Sequence, residues 1–300
     1  MHQSRPTVWS KVRNGPRRIL DSRWRRRAIR RFRWRLRFAS ESFILRLPEG
    51  GKLRLWRDSE LARLIFVEDY ETAERQFVSR FLKPNDVFID VGANIGLYSV
   101  IGGRIVGHSG VVYAFEPGGR VFARLQENLR LNEAVNVRAV SMALSDHCGV
   151  AQLTSSLDGY DAWASLGAPT AGRALARESV ECIDWDSFSD RQGLAGRVAL
   201  MKIDVEGWEQ RVLRGARRSL SRHDAPTLVV EFTDENARAA GTTCQDLYKE
   251  VEGLGYRLFT YDLSRRILLA APRLDYYDYT NLVATKDPNA VVTRLQSRSA

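Results

Sequence analysis

The chain has 300 residues, of which 44% are hydrophobic, and this composition excludes a wholly disordered protein. Its three cysteines are too few for a disulfide scaffold and suit a reducing compartment, so we predict a cytoplasmic protein. No apolar run approaches the roughly 18 residues that a membrane-spanning helix needs. The basic N-terminus lacks the apolar stretch of a secretory signal, and we expect none.

Positive charge is concentrated in the first 40 residues, which hold thirteen arginines and Lys11 against a single acid, Asp21. The net charge of +10 therefore belongs to this segment, and the body of the chain is mildly acidic. Apolar residues recur in the segment at every fourth position: Trp24, Ala28, Phe32 and Leu36. A basic amphipathic helix of this kind could lie peripherally on an anionic membrane surface or bind an acidic partner. A disordered basic arm and a nucleic-acid contact remain alternatives.

The elements that follow read, in chain order, as a hairpin, two helices and then a regular alternation of strands and helices. We predict hairpin strands at 43–47 and 52–56 and helices at 59–67 and 70–82. Seven further strands are predicted at 87–91, 111–115, 137–144, 198–205, 227–232, 256–261 and 280–285. Residues 150–183 are less regular, with possible strands at 150–153 and 178–183. The alternation is typical of an α/β fold, a mostly parallel sheet with helices on both faces.

Four segments follow from this division of the chain. We predict a basic tail over 1–40, a hairpin and helical cap over 41–84, the main domain over 85–287 and a C-terminal tail over 288–300. Ligands of such sheets bind beyond the carboxyl ends of the strands, so functional residues should directly follow strands.

The first candidate site is the turn Asp90-Val-Gly-Ala-Asn-Ile-Gly96, between the first strand of the main domain and its helix. Gly92 and Gly96 allow the backbone to approach a ligand closely, although a purely structural turn explains them equally well. The carboxylate of Asp90 would repel a pyrophosphate and favour a ligand carrying an ammonium or a sulfonium.

Two more acids follow the next strands. Glu116 stands 26 positions after Asp90, an offset at which an acid can accept both ribose hydroxyls of an adenosine. Asp146 follows the third strand and could accept a hydrogen bond from an adenine amino group. The alternatives are a solvated acid at a helix start for Glu116 and a simple turn residue for Asp146.

Acids of a fourth group lie at the ends of later strands, in Lys202-Ile-Asp-Val-Glu-Gly-Trp-Glu209 and at Glu231. Asp204, Glu206 and Glu231 could orient an acceptor, take a proton or hold a divalent cation. For Glu206, a stabilising position at a helix N-terminus is the alternative. No zinc-ligand spacing, nucleophile elbow or P-loop occurs in the sequence.

These motifs together resemble the FkbM family of S-adenosylmethionine-dependent methyltransferases. The resemblance is carried by 90–99, 115–117, 143–146 and 202–209, and it extends from about Glu68 to Val283. It implies a Rossmann-like class I methyltransferase fold, with seven strands and the last one antiparallel. It also implies that Asp90, Gly92, Asn94 and Gly96 border the methionine part of the cofactor, with Glu116 on the ribose and Asp146 near the adenine.

The activity that the resemblance implies is methyl transfer, mostly to hydroxyl oxygens of saccharides and polyketide-type natural products. A divalent cation is compatible with the sequence and not required by it. Three alternatives remain: a nucleic-acid methyltransferase that uses the basic tail, a nicotinamide-dependent oxidoreductase, and a binding module without activity. Base-directed nucleic-acid methyltransferases commonly have an Asn/Asp-Pro-Pro-aromatic turn, which this chain lacks. Nicotinamide-dependent oxidoreductases prefer a Gly-x-Gly-x-x-Gly turn, which the chain does not have either.

Overall fold

The computed structural model of the chain describes residues 29–34, 40–68, 70–156, 165–167 and 175–297. Most of the predicted basic tail lies outside these ranges, including Trp24, Ala28 and Leu36 of the apolar stripe. Residues 29–34 are helical. No helix within the described ranges is long and apolar enough to cross a membrane.

The strands, in chain order, are β1 (Ser42–Arg46), β2 (Lys52–Trp56), β3 (Val87–Val91), β4 (Val111–Phe115), β5 (Val137–Val140), β6 (Ala143–Ser145), β7 (Gly149–Ser156), β8 (Leu175–Asp184), β9 (Val198–Ile203), β10 (Thr227–Phe232), β11 (Arg257–Asp262), β12 (Ile267–Ala270) and β13 (Thr280–Thr285). The helices are α1 (Glu60–Val67), α2 (Thr72–Phe81), α3 (Leu97–Val106), α4 (Gly119–Leu131), α5 (Trp185–Gln192), α6 (Glu209–Gly215), α7 (Arg217–Ser221), α8 (Asp234–Ala239), α9 (Cys244–Gly253) and α10 (Pro288–Gln296).

The main sheet has the strand order β12-β11-β13-β10-β9-β3-β4-β5. Strands β10, β9, β3, β4 and β5 run parallel to one another, whereas β13 is antiparallel to both β10 and β11. The predicted α/β class and the predicted antiparallel last strand are therefore confirmed. The order reverses at β3, so the ligand crevice is expected beyond the carboxyl ends of β3, β4 and β9.

Two hydrophobic layers cover this sheet, because successive side chains of a strand point to opposite faces. In β3, Val87, Ile89 and Val91 enter the layer that contains Trp185 and Leu213. Phe88 enters the opposite layer, which contains residues of α2, α3, α4 and the β1–β2 hairpin. All five residues of β3 are buried, which agrees with its continuous apolar pattern.

Two features of the strand pattern differ from the prediction. The main sheet has eight strands rather than seven, because β12 forms a hairpin with β11 at the edge, where a short and half-exposed strand gives little sequence signal. The single strand predicted at 137–144 is wrong. It divides into β5 and β6 where the chain bends at residues 141–142, and β6 joins a separate sheet of order β6-β8-β7.

Part of the segment predicted as a C-terminal tail is helical. Residues Pro288–Gln296 form α10, which Asp287 caps by accepting a hydrogen bond from the Ala290 amide at 3.0 Å. Its Val291 and Leu295 are buried in the same layer as α2 and the hairpin. Hairpin, cap and α10 therefore share a core with the main sheet.

Candidate active site

A cavity opens at the carboxyl edge of β3, β4 and β9, with about 900 Å³ of space when its open mouth is counted. Five of the nine residues predicted for the site line it: Gly92, Asn94, Glu116, Asp204 and Glu206. The other four, Asp90, Gly96, Asp146 and Glu231, do not belong to its wall. Apolar surface is supplied by Leu61, Phe115, Leu144, Leu153 and Trp208, among others. The cavity thus combines apolar side chains with several carboxylates.

The turn after β3 brings two backbone segments into contact. Gly92 has a φ of +80°, and a Cβ atom there would lie 1.8 Å from the carbonyl oxygen of Asp204. Gly96, with a φ of +92°, precedes α3, and a Cβ atom there would approach the Leu125 side chain to 2.7 Å. Gly92 is therefore required by the packing, because a side chain would separate the turn from the Asp204 backbone. At Gly96 the positive φ is the main reason for glycine.

Glu116 directly follows β4, and backbone amides fix its carboxylate. Oε2 accepts a hydrogen bond from the amide of Asn94 at 3.0 Å, and Oε1 accepts one from the amide of Gly118 at 2.9 Å. Asn94 has a φ of +48°, a left-handed conformation that turns its amide toward Glu116. These two bonds hold the carboxylate at the cavity wall, and a carboxylate is an acceptor that suits vicinal hydroxyls.

Asp90, the fourth residue of β3, lies behind the cavity wall with 1% of its surface exposed. Oδ2 accepts a hydrogen bond from the Ser99 hydroxyl at 2.6 Å, and Oδ1 is a buried oxygen with no partner among the described residues. Burial raises the pKa of this carboxyl to about 6, although Lys202 and the Ser99 bond act in the opposite direction. An unpartnered buried acid next to the turn is suited to a cationic ligand.

Lys202, the fifth residue of β9, carries its ammonium into the cavity. It donates a hydrogen bond to Asp204, and Nζ also lies 4.6 Å from the ring centroid of Tyr98. Burial alone would lower the lysine pKa, but Asp204, Glu71 and Asp90 outweigh it and hold that pKa above its usual value. For Asp204, burial would raise the pKa, and the nearby Lys202 ammonium lowers it overall. Lysine and aspartate thus form a stable ion pair inside the cavity.

Glu206 and Glu231 lie beside Asp204, and one carboxylate oxygen from each of the three falls within 4.8 Å of the others. Burial, reinforced by Asp204, raises the pKa of Glu206 well above its usual value. Burial, reinforced by Glu206 and Asp204, does the same for Glu231. The three acids predicted from separate strand ends are therefore brought together, and only Asp204 is held in its charged form by a cation.

Asp146 does not belong to the cavity wall and is held by two basic side chains. Its Oδ2 accepts a hydrogen bond from Arg211 at 3.0 Å, and its Oδ1 lies 2.9 Å from Nδ1 of His147. The cavity wall at this end is formed by Leu144 and the indole of Trp208, whose Nε1 donates to the Ser145 hydroxyl at 3.1 Å. Contact between Asp146 and an adenine stays a prediction.

Several wall residues come from outside the motifs. Tyr70 and Glu71 precede α2, and the carboxylate of Glu71 accepts hydrogen bonds from Tyr98 at 2.7 Å, from Asn281 at 3.0 Å and from Tyr279. No sequence pattern marks Glu71, because its partners are distant in the chain. The residues expected to shape the acceptor side, Tyr160, Asp161 and Trp163, lie outside the described residues.

The fold and the site together define a class of protein. A parallel sheet with an antiparallel last strand, a glycine turn after the first strand and an acid after the second describe a Rossmann-like methyltransferase. The sequence profile of the family described as "Methyltransferase FkbM domain" matches residues 90–258, more than half of the chain. The chain belongs to the FkbM methyltransferase family, and its activity is S-adenosylmethionine-dependent methyl transfer.

Two curated relatives agree with this assignment. The chain is 33% identical over 203 residues to "31-O-demethyl-FK506 methyltransferase FkbM" of Streptomyces tacrolimicus, covering 57% of this chain and 74% of the relative. It is 31% identical over 161 residues to "Methyltransferase sdnD" of Sordaria araneosa, covering 45% and 61%. Among solved structures, the chain is similar to a SAM-dependent O-methyltransferase of Thermotoga maritima. The superposition covers 81% of this chain and 77% of that protein, at 16% identity and a TM-score of 0.40.

The residues present fit the cofactor. S-adenosylmethionine carries a sulfonium and an ammonium, and the cavity offers Glu71, Glu116, Asp204 and Glu206 against Lys202. The unpartnered Oδ1 of Asp90 adds a further acceptor next to the turn. When bound, the cofactor supplies an activated methyl group on sulfur.

Proposed function

We propose that the protein methylates a hydroxyl oxygen of a saccharide or a polyketide-type natural product. The observation that carries this proposal is the position of Asp204, which lines the cavity and accepts a hydrogen bond from the buried Lys202 ammonium. It is an acid inside the cavity that Lys202 keeps ionised, and it lies beside Glu206 and Glu231, two acids whose pKa values are raised. A hydroxyl acceptor needs a base within hydrogen-bond reach, and an ionised carboxylate at the cavity wall supplies one.

In the proposed reaction the acceptor oxygen attacks the methyl carbon while the bond from that carbon to sulfur breaks. The hydroxyl proton passes to Asp204, and the sulfur leaves as a neutral thioether. Lys202 holds the Asp204 carboxylate in place, and the turn at Gly92 with Glu116 fixes the cofactor. Much of the acceleration then comes from orientation, because the donor is already activated.

Cofactor contacts are proposed as predicted from the sequence, with Asp90, Gly92, Asn94 and Gly96 at the methionine part and Glu116 on the ribose. Glu116 has the strongest support, because its fixed carboxylate lines the cavity. The name of the Streptomyces tacrolimicus relative refers to an O-demethyl substrate, which favours oxygen as the acceptor atom here as well.

The proposal is tested by incubating the protein with methyl-labelled S-adenosylmethionine and a panel of glycosides and polyketides. Mass spectrometry of the products then locates the methyl group. Transfer to a hydroxyl of one member of the panel is the expected result. Labelling of a nucleic acid alone, or of nitrogen or carbon only, would contradict it.

We also propose that the arginine-rich N-terminal segment binds an anionic membrane surface and makes the protein peripheral to that membrane. Within helical residues 29–34, Trp34 packs on Phe43 and Phe66 at ring distances of 5.9 and 5.8 Å. Ile29 and Phe32 stay 53% and 63% exposed, three positions apart. Apolar side chains among arginines are typical of helices that lie in a lipid interface.

A further inference from the structure

Glu209 ends the motif that begins at Lys202, and the proposed reaction gives it no role. It is the first residue of α6, yet it is buried, with 4% of its surface exposed. Its Oε1 accepts hydrogen bonds from the amide of Val205 at 3.0 Å and from the amide of Gly207 at 3.1 Å. Both donors precede α6, so these two bonds stabilise the turn between β9 and α6.

The backbone of this turn is left-handed at two successive residues. Glu206 has a φ of +54°, and Gly207 has a φ of +98°. The amide of Trp208 donates to the carbonyl oxygen of Val205 at 3.4 Å, which closes the turn. Two positive φ values in a row are typical of a type I′ turn, which favours glycine, asparagine and aspartate. A glutamate in this conformation is costly, so neighbouring contacts have to hold it there.

Glu209 supplies such contacts on both sides of Glu206. Val205 precedes Glu206 and Gly207 follows it, so a single carboxylate oxygen fixes the backbone before and after the left-handed residue. Gly207 is also packed against α8, since a Cβ atom there would lie 2.3 Å from the carbonyl oxygen of Asn236. The conformation of Glu206 is therefore set by its neighbours.

This conformation determines where the Glu206 side chain lies. Glu206 lines the cavity, and one of its carboxylate oxygens is within 4.8 Å of an oxygen of Asp204 and of Glu231. The side-chain amide of Asn236 donates to Oε2 of Glu206. Because the direction of a side chain follows its backbone, a relaxed φ at Glu206 would move its carboxylate away from Asp204.

We propose that Glu209 is a positioning residue for methyl transfer. Through the amides of Val205 and Gly207 it holds Glu206 in the left-handed conformation, and it thereby keeps the Glu206 carboxylate beside Asp204. Glu209 itself does not line the cavity, so its effect is transmitted by the turn. The inference rests on the proposed function only in placing Asp204 and Glu206 on the acceptor side.

Two substitutions of Glu209 in the full chain separate its parts. Glu209→Gln keeps an oxygen that can accept both amides, whereas Glu209→Ala removes it. Hydrogen exchange of the Val205 and Gly207 amides, followed by NMR, should accelerate about tenfold or more in Glu209→Ala. In Glu209→Gln it should stay within about threefold of the wild type. This readout needs no acceptor and does not depend on the proposed function.

Methyl transfer from labelled S-adenosylmethionine is then measured with the panel member that the wild type methylates. We expect kcat to fall about tenfold or more in Glu209→Ala, while the Kd of S-adenosylhomocysteine changes less than about threefold. Glu209→Gln should restore kcat. Asp287→Ala is the matched control, because it also removes a carboxylate that accepts a backbone amide, and Asp287 does not line the cavity. It should keep the kcat of the wild type when folded.

A merely structural Glu209 would lower stability but leave the kcat of folded Glu209→Ala equal to that of Asp287→Ala, and this result would overturn the inference. Unchanged amide exchange in Glu209→Ala would also overturn it, as would a Glu209→Gln variant that transfers as slowly as Glu209→Ala. Transfer by the wild type to nitrogen or carbon would reject the proposed function and leave these comparisons valid.

Discussion

The carboxylate of Glu116 accepts a hydrogen bond from the backbone amide of Asn94 at 3.0 Å, across the boundary between β3 and β4. This contact joins the glycine turn to the acid that follows the next strand. A second bond, from the Gly118 amide at 2.9 Å, fixes the other oxygen. A backbone hydrogen bond thus joins the turn after β3 to Glu116, the acid proposed to bind the ribose.

Replacing Glu116 should therefore affect the cofactor most strongly. We expect Glu116→Ala to weaken binding of S-adenosylhomocysteine by more than tenfold, because charge-assisted hydrogen bonds are worth about 1.5–3 kcal/mol each. Isothermal titration measures the change. Glu127→Ala, which removes an exposed acid of the following helix α4, is the control and should bind normally. Equal affinity in both variants would contradict a ribose role for Glu116.

The turn at Gly92 should tolerate no side chain. A Cβ atom would lie 1.8 Å from the Asp204 carbonyl oxygen, so Gly92→Ala must displace the strand end that carries Asp204. Gly107→Ala is the matched control, since Gly107 also has a positive φ but no atom within 4 Å of the added Cβ. We expect about 1 kcal/mol of destabilisation for Gly107→Ala and several times more for Gly92→Ala, measured by urea unfolding. Similar losses would show that the close contact has no energetic consequence.

The pH dependence of stability should report on Asp90. Burial raises its pKa to about 6 in the folded chain, whereas an unfolded aspartate titrates near about 3.9. The folded state therefore holds an extra proton between these values, and the stability that this proton provides is lost as the pH rises through about 6. The free energy of unfolding of the wild type, relative to Asp90→Asn, should fall by roughly 2 kcal/mol between about pH 4 and about pH 7.

Urea unfolding of both proteins at the two pH values measures this difference, and parallel profiles would contradict it. Cofactor binding should change in the opposite direction. An ammonium near Asp90 favours the ionised carboxylate, so affinity for S-adenosylhomocysteine should increase as the pH rises through about 6. Asp90→Asn should show no such increase.

Removing the buried ammonium should impair both stability and transfer. Lys202→Met leaves Asp204 without its cation, and breaking a buried pair costs about 3–5 kcal/mol. Arg294→Met, which removes the partner of Asp86 away from the cavity, should reduce stability without reducing the transfer rate of the folded protein. The test is to compare the methyl-transfer rates of the two variants with labelled cofactor, under conditions where both are folded. Normal transfer by Lys202→Met would reject the proposed role of the Lys202–Asp204 pair.

The N-terminal segment should control membrane binding. Deletion of residues 1–28 removes eight arginines and Lys11 but keeps the exposed Ile29 and Phe32, so co-sedimentation with anionic phospholipid vesicles should weaken strongly. Binding of the full chain should weaken with added salt, because it depends on surface charge. Neutral vesicles serve as the control and should bind little. Equal sedimentation of the deleted and full chains with anionic vesicles would contradict the proposal.

The motif residues could be predicted because each lies near the carboxyl end of a strand, or in the turn after it, and the apolar runs of these strands are visible in the sequence. The protonation states of these residues could not be predicted. The sequence gives no indication that Lys202 holds Asp204 ionised while burial favours a proton on Glu231. The Glu71 carboxylate accepts hydrogen bonds from Tyr98, Tyr279 and Asn281, which are distant in the chain. Only the tertiary structure shows these contacts. The edge strand β12 was not predicted, because a short, half-exposed edge strand has only a weak pattern of apolar residues.

A crystal structure of the protein with S-adenosylhomocysteine tests the central arrangement most directly. The account predicts both ribose hydroxyls within hydrogen-bond distance of the Glu116 carboxylate, the ammonium beside the turn at Asp90–Gly96, and the sulfur facing Asp204. A nucleoside bound elsewhere, or a Glu116 carboxylate that makes no contact with the ribose, would contradict it.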